Sequence, residues 1–240
     1  PFFTRIKNVT KAIAHPDVWS AFHDNAGVVA FEGDTGLCLK AETHNAPSAI
    51  EPFGGAETGV GGVIRDILGT GRGAKAISVF DVLCFGNPQT LAAHVPRGCL
   101  HPEVTFRKVV AGIQSYGNKI GLPNISGALF FDDCYLPKPV VLAGCIGLIR
   151  RDMVDKMPPR DGDVLLSIGG KTGRDGIHGA TFSSGAMESS TKDVQSQAVQ
   201  IGFPALEKRL MDVLEILRDR GYIRTMTDCG AGGLSSAVTE

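Results

Sequence analysis

Glycine supplies 31 of the 240 residues, nearly twice the roughly 7% usual in globular chains, and where it falls constrains the fold more than how much there is. The glycines gather in three places, Gly54–Gly62, Gly169–Gly179 and Gly230–Gly233. Between them run segments with clean strand or helix periodicity, so the glycines mark tight loops rather than low-complexity sequence. Gly36 to Glu42 alternates, with Leu37, Leu39 and Ala41 on one side and Cys38, Lys40 and Glu42 on the other. That predicts a strand presenting Lys40 and Glu42 in the same direction. A loop to Gly59 is expected next, followed by a helix whose apolar stripe is Val60, Val63, Ile64, Ile67 and Leu68, with Arg65 and Asp66 off the stripe.

The same reading predicts strands at Ala76–Phe85, Ile125–Phe131 and Val140–Ile149, and a helix at Glu103–Tyr116 burying Phe106, Val109, Val110 and Ile113. Arg150 to Asp163 is charged, contains Pro158 and Pro159, and separates two apolar blocks. It is read as a linker (150–163) between an N-terminal domain (27–149) and a C-terminal one (164–240), with 1–26 as a connecting segment. In the C-terminal part, strands are expected at Val164–Ile168 and Tyr222–Asp228. A helix is expected at Pro204–Arg220, with Leu206, Leu210, Val213, Leu214 and Leu217 on its apolar side, and another from Leu234. Strands and helices alternate without a regular βαβ order, so the fold class is α/β (α+β).

With 24 basic and 25 acidic residues, the formal charge is −1, which argues against nucleic acid or an anionic membrane as partner. Six cysteines without a C-x-x-C pair, mostly in apolar runs, suit reduced thiols and the cytoplasm. No apolar run is long enough to span a bilayer. The chain opens on Pro1 and closes on Glu240 inside a predicted helix, and is read as a fragment.

Chemistry concentrates in Lys40 to Asp66, where Lys40, Glu42, His44, Asn45, Glu51, Glu57, Arg65 and Asp66 surround glycine-rich backbone. Phosphoryl transfer needs a cation near the phosphate, carboxylates for magnesium and approachable backbone amides. All are present, although a solvated, turn-rich loop is the plain alternative. His44 is a candidate general base or phosphate ligand. A second segment, GGKTGRDGIHGATFSS from Gly169, carries Lys171, Arg174, Asp175 and His178. It lacks both the G-x-x-x-x-G-K-[ST] order and a G-x-G-x-x-G run, which removes the P-loop and the dinucleotide fold. Asp228, before Gly230–Gly233, stands at a predicted strand end where a metal ligand is commonly placed.

Five strings in order, ETHNAPSAIEP, GAETGVGGVIRD, GGKTGRDGIHGATFSS, VQIGFP and TDCGAGG, make residues 23–240 resemble the synthetase part of the phosphoribosylformylglycinamidine synthase family. Aminoimidazole ribonucleotide synthase, selenophosphate synthetase and thiamine monophosphate kinase share that family's fold but not these strings. The resemblance implies an aminoimidazole ribonucleotide synthase-like two-domain unit with an incomplete second domain. It implies that ATP phosphorylates the amide oxygen of formylglycinamide ribonucleotide and that glutamine-derived ammonia displaces the phosphate. It assigns Lys40 to ATP, Glu42, Asp66 and Asp228 to Mg2+, His44 to catalysis, and Thr43, His44, Asn45, Arg65 and Gln200 to substrate. Implied partners are a glutaminase subunit or domain, a small accessory subunit, and a second copy or homologous half. Three positions depart from the family pattern: Ala46 replaces a histidine, Glu57 an alanine, and Phe203 an acid or amide. A catalytically silent nucleotide-binding or assembly module is the rival these departures raise.

Overall fold

The computed structural model describes residues 2–171, 202–230 and 232–239. A six-stranded mixed sheet carries two long helices on one face. Its strands are β1 (Val18–Ser20), β2 (Gly27–Glu32), β3 (Thr35–Thr43), β4 (Lys75–Phe85), β5 (Asn124–Phe131) and β6 (Val140–Arg150), in the spatial order β1-β2-β3-β6-β4-β5. Every neighbouring pair is antiparallel except β4 and β5. The parallel pair is bridged by the helix α4 (Pro102–Ile120), as a crossover requires. The sheet therefore reaches back into the segment read as a connection. Residues 1–26 contain β1 and a helix α1 (Phe2–Ile13), which buries none of its residues.

The expected loop after Glu42 is instead helical, forming α2 (Asn45–Ile50) and α3 (Pro52–Leu68). Pro47 and Pro52 fall in first turns, where the missing N–H is not needed. The glycines of α3 cost helix propensity, but they let the helix lie against its neighbours. A Cβ on Gly55 would come within 2.5 Å of the Ser48 nitrogen, so α2 and α3 touch through bare backbone. Val60, Val63, Ile64 and Ile67 from α3 meet Val109, Ile113, Tyr116 and Ile120 from α4 over Val28, Cys38, Val79, Val141 and Cys145 from the sheet. Each such fully buried side chain contributes roughly 1.5–3 kcal/mol. Val110, expected inside, is 40% exposed. Phe106 packs edge-on between Phe85 and Phe131. On the other face of the sheet Val29, Phe31 and Leu39 stand exposed.

Two predicted strands do not form. Val164, Leu165, Leu166 and Ile168 are all more than half exposed, and neither 164–168 nor 222–228 has a ladder partner among the described residues. A short apolar or β-favouring run becomes a strand only where a neighbour accepts its hydrogen bonds. The linker's start belongs to the core, where Met153 and Val154 are buried. Helix α5 (Pro204–Asp219) packs on α4 and α3 with Glu207 and Met211 inward. Val213, expected on its apolar side, is 49% exposed. A short helix α6 (Gly233–Thr239) follows.

Candidate functional site

Alternation along β3 puts Lys40 and Glu42 on the side where Cys38 enters the core. That side faces α3, and the C-terminal half of α3 brings Asp66 to the same point. Lys40 Nζ lies 3.1 Å from Asp66 Oδ2 and 3.5 Å from Glu42 Oε2. Burial works to neutralise Lys40, but the charges of Asp66 and Glu42 outweigh it and hold the ammonium above its usual range. Asp66 is 8% exposed. Burial pushes its carboxyl up to about 6; Lys40 opposes this, and the charges of Asp228 and Glu42 add to it. Arg65, its neighbour on α3, places Nη1 3.3 Å from Glu207 Oε2 on α5.

Where β3 ends, the ladder with β6 runs on through the His44 amide, which donates to the Val141 carbonyl at 2.7 Å. Asn45 Oδ1 accepts from the Val141 amide at 2.8 Å. That side-chain oxygen therefore fixes the strand-to-helix turn and leaves the amide nitrogen as the group able to donate elsewhere. Thr43 is exposed beside it. His44 Nδ1 is buried without a hydrogen-bond partner. Burial lowers the imidazole pKa below its usual value, against the Gly55 backbone and Glu42, and with help from Arg65. A neutral ring with one unused nitrogen can accept a proton or a hydrogen bond. Gly59 makes the room, since a Cβ there would sit 3.0 Å from His44 Cβ.

Asp228 accepts from Asn25 Nδ2 at 3.4 Å, and its charge is felt at Asp66, Arg65 and Glu207. The fold thus draws Lys40, Glu42, His44, Asn45, Arg65, Asp66 and Asp228 into one region. It does not assemble a ready metal cage, because no three His, Cys, Asp or Glu side chains among the described residues are placed to hold an ion. Gln200, Arg174, Asp175 and His178 lie outside the described residues, and Lys171 is exposed. Glu57, one of the departures from the family pattern, is buried and pairs with Lys119 at 3.7 Å. Ala46 is fully buried.

Sequence reasoning missed Glu207 and Tyr116. The Tyr116 hydroxyl donates to Glu207 Oε2, the same oxygen that meets Arg65. The available signal was Glu207 standing four residues before Met211 and seven before Leu214, a carboxylate on an inward-facing helical stripe.

The chain, a helix-backed mixed sheet with a lysine–carboxylate cluster near a strand-to-helix turn, belongs to the AIR synthase related proteins. That family's N-terminal domain matches residues 23–149 and its C-terminal domain residues 160–240. Within it the chain is similar to phosphoribosylformylglycinamidine synthase subunit PurL. It is 46% identical over 221 residues to that protein of Thermoplasma acidophilum, covering 92% of this chain and 28% of the relative. Against the Methanothermobacter thermautotrophicus protein it is 39% identical over 218 residues, covering 90% and 29%. Among solved structures, Thermotoga maritima PurL complexed with FGAR superposes with a TM-score of 0.72 at 35% identity, covering 95% of this chain and 35% of that one. The same protein complexed with ATP gives 0.68 at 34% identity, covering 91% and 31%. PurLQS from Thermotoga maritima gives 0.68 at 34%, covering 89% and 30%. The chain thus spans about 28–29% of the length of these curated relatives. No helix among the described residues is long and apolar enough to cross a membrane.

Proposed function

We propose that this chain supplies the magnesium and substrate side of an enzyme that converts formylglycinamide ribonucleotide to formylglycinamidine ribonucleotide with ATP and glutamine-derived ammonia. The observation that carries this is the convergence of Lys40, Glu42 and Asp66 within 3.5 Å contacts, beside a histidine with an unused buried nitrogen, in a chain 46% identical to a PurL subunit.

In this reading Lys40 exchanges a carboxylate partner for a phosphate of ATP. Arg65 and the Asn45 amide orient the ribonucleotide, with Thr43 and Gln200 as further contacts. His44, neutral near pH 7, stands beside the transferred phosphate as acceptor or base. Glu42, Asp66 and Asp228 would hold Mg2+. The donor set fits, being all carboxylate oxygen, and the mutual repulsion that helps raise Asp66 is relieved by a dication. Magnesium, when bound, supplies charge neutralisation for the phosphates.

Ammonia delivery requires a glutaminase subunit or domain, and a small accessory subunit is part of the same reading; the similarity to PurLQS supports assembly with other subunits. The exposed Val29, Phe31 and Leu39 face is the surface on which a homologous half or second copy would close the sheet. An enzyme of purine synthesis would act in the cytoplasm.

The test is ADP release from ATP and Mg2+ with formylglycinamide ribonucleotide and ammonium, comparing this chain alone with the chain in the complete polypeptide that contains it. Turnover confined to the complete polypeptide supports the reading. Nucleotide binding without turnover in both favours the silent module, for which the specific observation is Ala46. That position is fully buried, so the histidine of the family pattern is replaced by packing.

A further inference from the structure

We propose that Glu207 and Tyr116 are positioning residues that hold Arg65 in the orientation required by the ribonucleotide substrate. The inference rests on the reading of Arg65 as a substrate contact. Arg65 lies on α3 and Tyr116 on α4, within the stretch matching the family's N-terminal domain, whereas Glu207 lies on α5, within the C-terminal match. One carboxylate oxygen, Glu207 Oε2, receives both the Arg65 guanidinium, at 3.3 Å, and the Tyr116 hydroxyl. The other, Oε1, is buried and without a partner. Among the described residues, the hydrogen bonding of this carboxylate is therefore directed through Oε2.

The surroundings are shaped for this contact. A Cβ on Gly61 would fall 2.5 Å from the Tyr116 hydroxyl oxygen, and one on Gly202 would fall 2.9 Å from its ring. Glycine at these two places lets α3 and the chain entering α5 close directly onto the tyrosine. Glu207 is 7% exposed and Tyr116 1%, while the Arg65 side chain keeps 31% of its surface open. A guanidinium has five N–H donors in a fixed fork. With Nη1 held from the buried side, donors remain on the open side for an oxygen-rich ligand, and the rotamer entropy an arginine loses on binding is already spent.

An apolar trio would join α5 to α3 and α4 with less desolvation. A buried carboxylate whose hydrogen bonds, among the described residues, go to an arginine and a tyrosine makes sense as an orienting device for the arginine. It also makes the arginine's geometry depend on α5, so the second domain's position sets the first domain's readiness for substrate.

The test measures KM for formylglycinamide ribonucleotide, KM for ATP and kcat in the active assembly containing this chain, for wild type, Glu207→Gln, Tyr116→Phe, Arg65→Lys and the Glu207→Gln/Arg65→Lys double variant. Losing one charge-assisted contact should raise the ribonucleotide KM by about tenfold in Glu207→Gln and by about threefold in Tyr116→Phe. KM for ATP and kcat should stay within about twofold, and the double variant should be no worse than Arg65→Lys by more than about twofold. Equal rises in both KM values, or a loss that multiplies fully with Arg65→Lys, would mean a merely structural contact and overturn the proposal. Should Glu207→Gln fail to fold, Tyr116→Phe, which keeps the ion pair, decides by the same KM comparison. Wild type that turns over without any dependence on this ribonucleotide would sink the functional reading itself, a result separate from an indifferent variant in a responsive enzyme.

Discussion

Asp81 offers a measurement of burial free from the complications of the ligand site. It sits on β4, 4% exposed; Asn124 Nδ2 donates to its Oδ2, and its Oδ1 is buried without a partner. Burial pushes its carboxyl up from 3.8 to about 6, with the Asn124 contact opposing. The fold therefore binds this proton more tightly than the unfolded chain does, so stability is highest with Asp81 protonated. It falls as pH rises between about 3.8 and 6 and then stays lowered. A difference of this size, about a hundredfold in proton affinity, corresponds to about 3 kcal/mol, an upper bound because the groove between α4 and β5 can admit water. Asp81→Asn keeps the shape, supplies an oxygen to accept from Asn124, and removes the charge. Urea unfolding of both proteins from pH 3 to 8 should show near-equal stability at the acid end, below the unfolded value of 3.8, and a growing advantage for the variant, reaching about 1–3 kcal/mol above pH 6.5. A pH-independent difference, or a variant less stable throughout, would refute the assignment of the cost to a buried charge.

The site itself yields three further expectations. His44→Ala should lower turnover by at least about a hundredfold while leaving the circular dichroism spectrum and melting midpoint near wild type; a normal rate would remove His44 from the chemistry. Asp66→Asn should weaken Mg2+-dependent ATP binding by about tenfold or more, read by calorimetry at several Mg2+ concentrations, whereas unchanged Mg2+ dependence would take Asp66 out of the metal's reach. Gly55→Ala should destabilise the chain by about 1–3 kcal/mol, because its Cβ would fall within 2.5 Å of the Ser48 backbone; unfolding unchanged within about 0.5 kcal/mol would mean that α2 can move away freely.

Periodicity located most of the sheet because β3, β4 and β6 each have neighbours that use their alternating sides. Helix α4 was legible for the same reason, through Val109 and Ile113. What periodicity could not supply was context. Asn45 to Gly59 reads as a loop because proline and glycine punctuate it, yet it is helical: Pro47 and Pro52 occupy tolerant first turns, and Gly55 and Gly59 are needed for close contact. Val164–Ile168 is an apolar run that reads like a strand and is not one, since no described neighbour pairs with it. Lys40 and Glu42 could be placed on one strand face from spacing alone. That Asp66 would meet them, and that Glu207 would reach Arg65 from 142 positions away, are consequences of packing between elements, on which local sequence carries little information.

Charge balance links these observations. Among the described residues the region contains two permanent cations, Lys40 and Arg65, and four carboxylates, Glu42, Asp66, Glu207 and Asp228. With all ionised, the formal sum is −2. Each cation already has a carboxylate partner, so a free polyphosphate approaching the site meets excess negative charge and occupied cations. A dication matches that excess, and once it is bound to the carboxylates, Lys40 can leave Asp66 for a phosphate oxygen without stranding a buried charge. Nucleotide affinity under the proposed function should accordingly depend on the divalent ion more steeply than chelation of the phosphates alone would require. The Glu207–Arg65 pair should persist throughout, because its carboxylate is enclosed by Tyr116 and has no comparable replacement partner among the described residues.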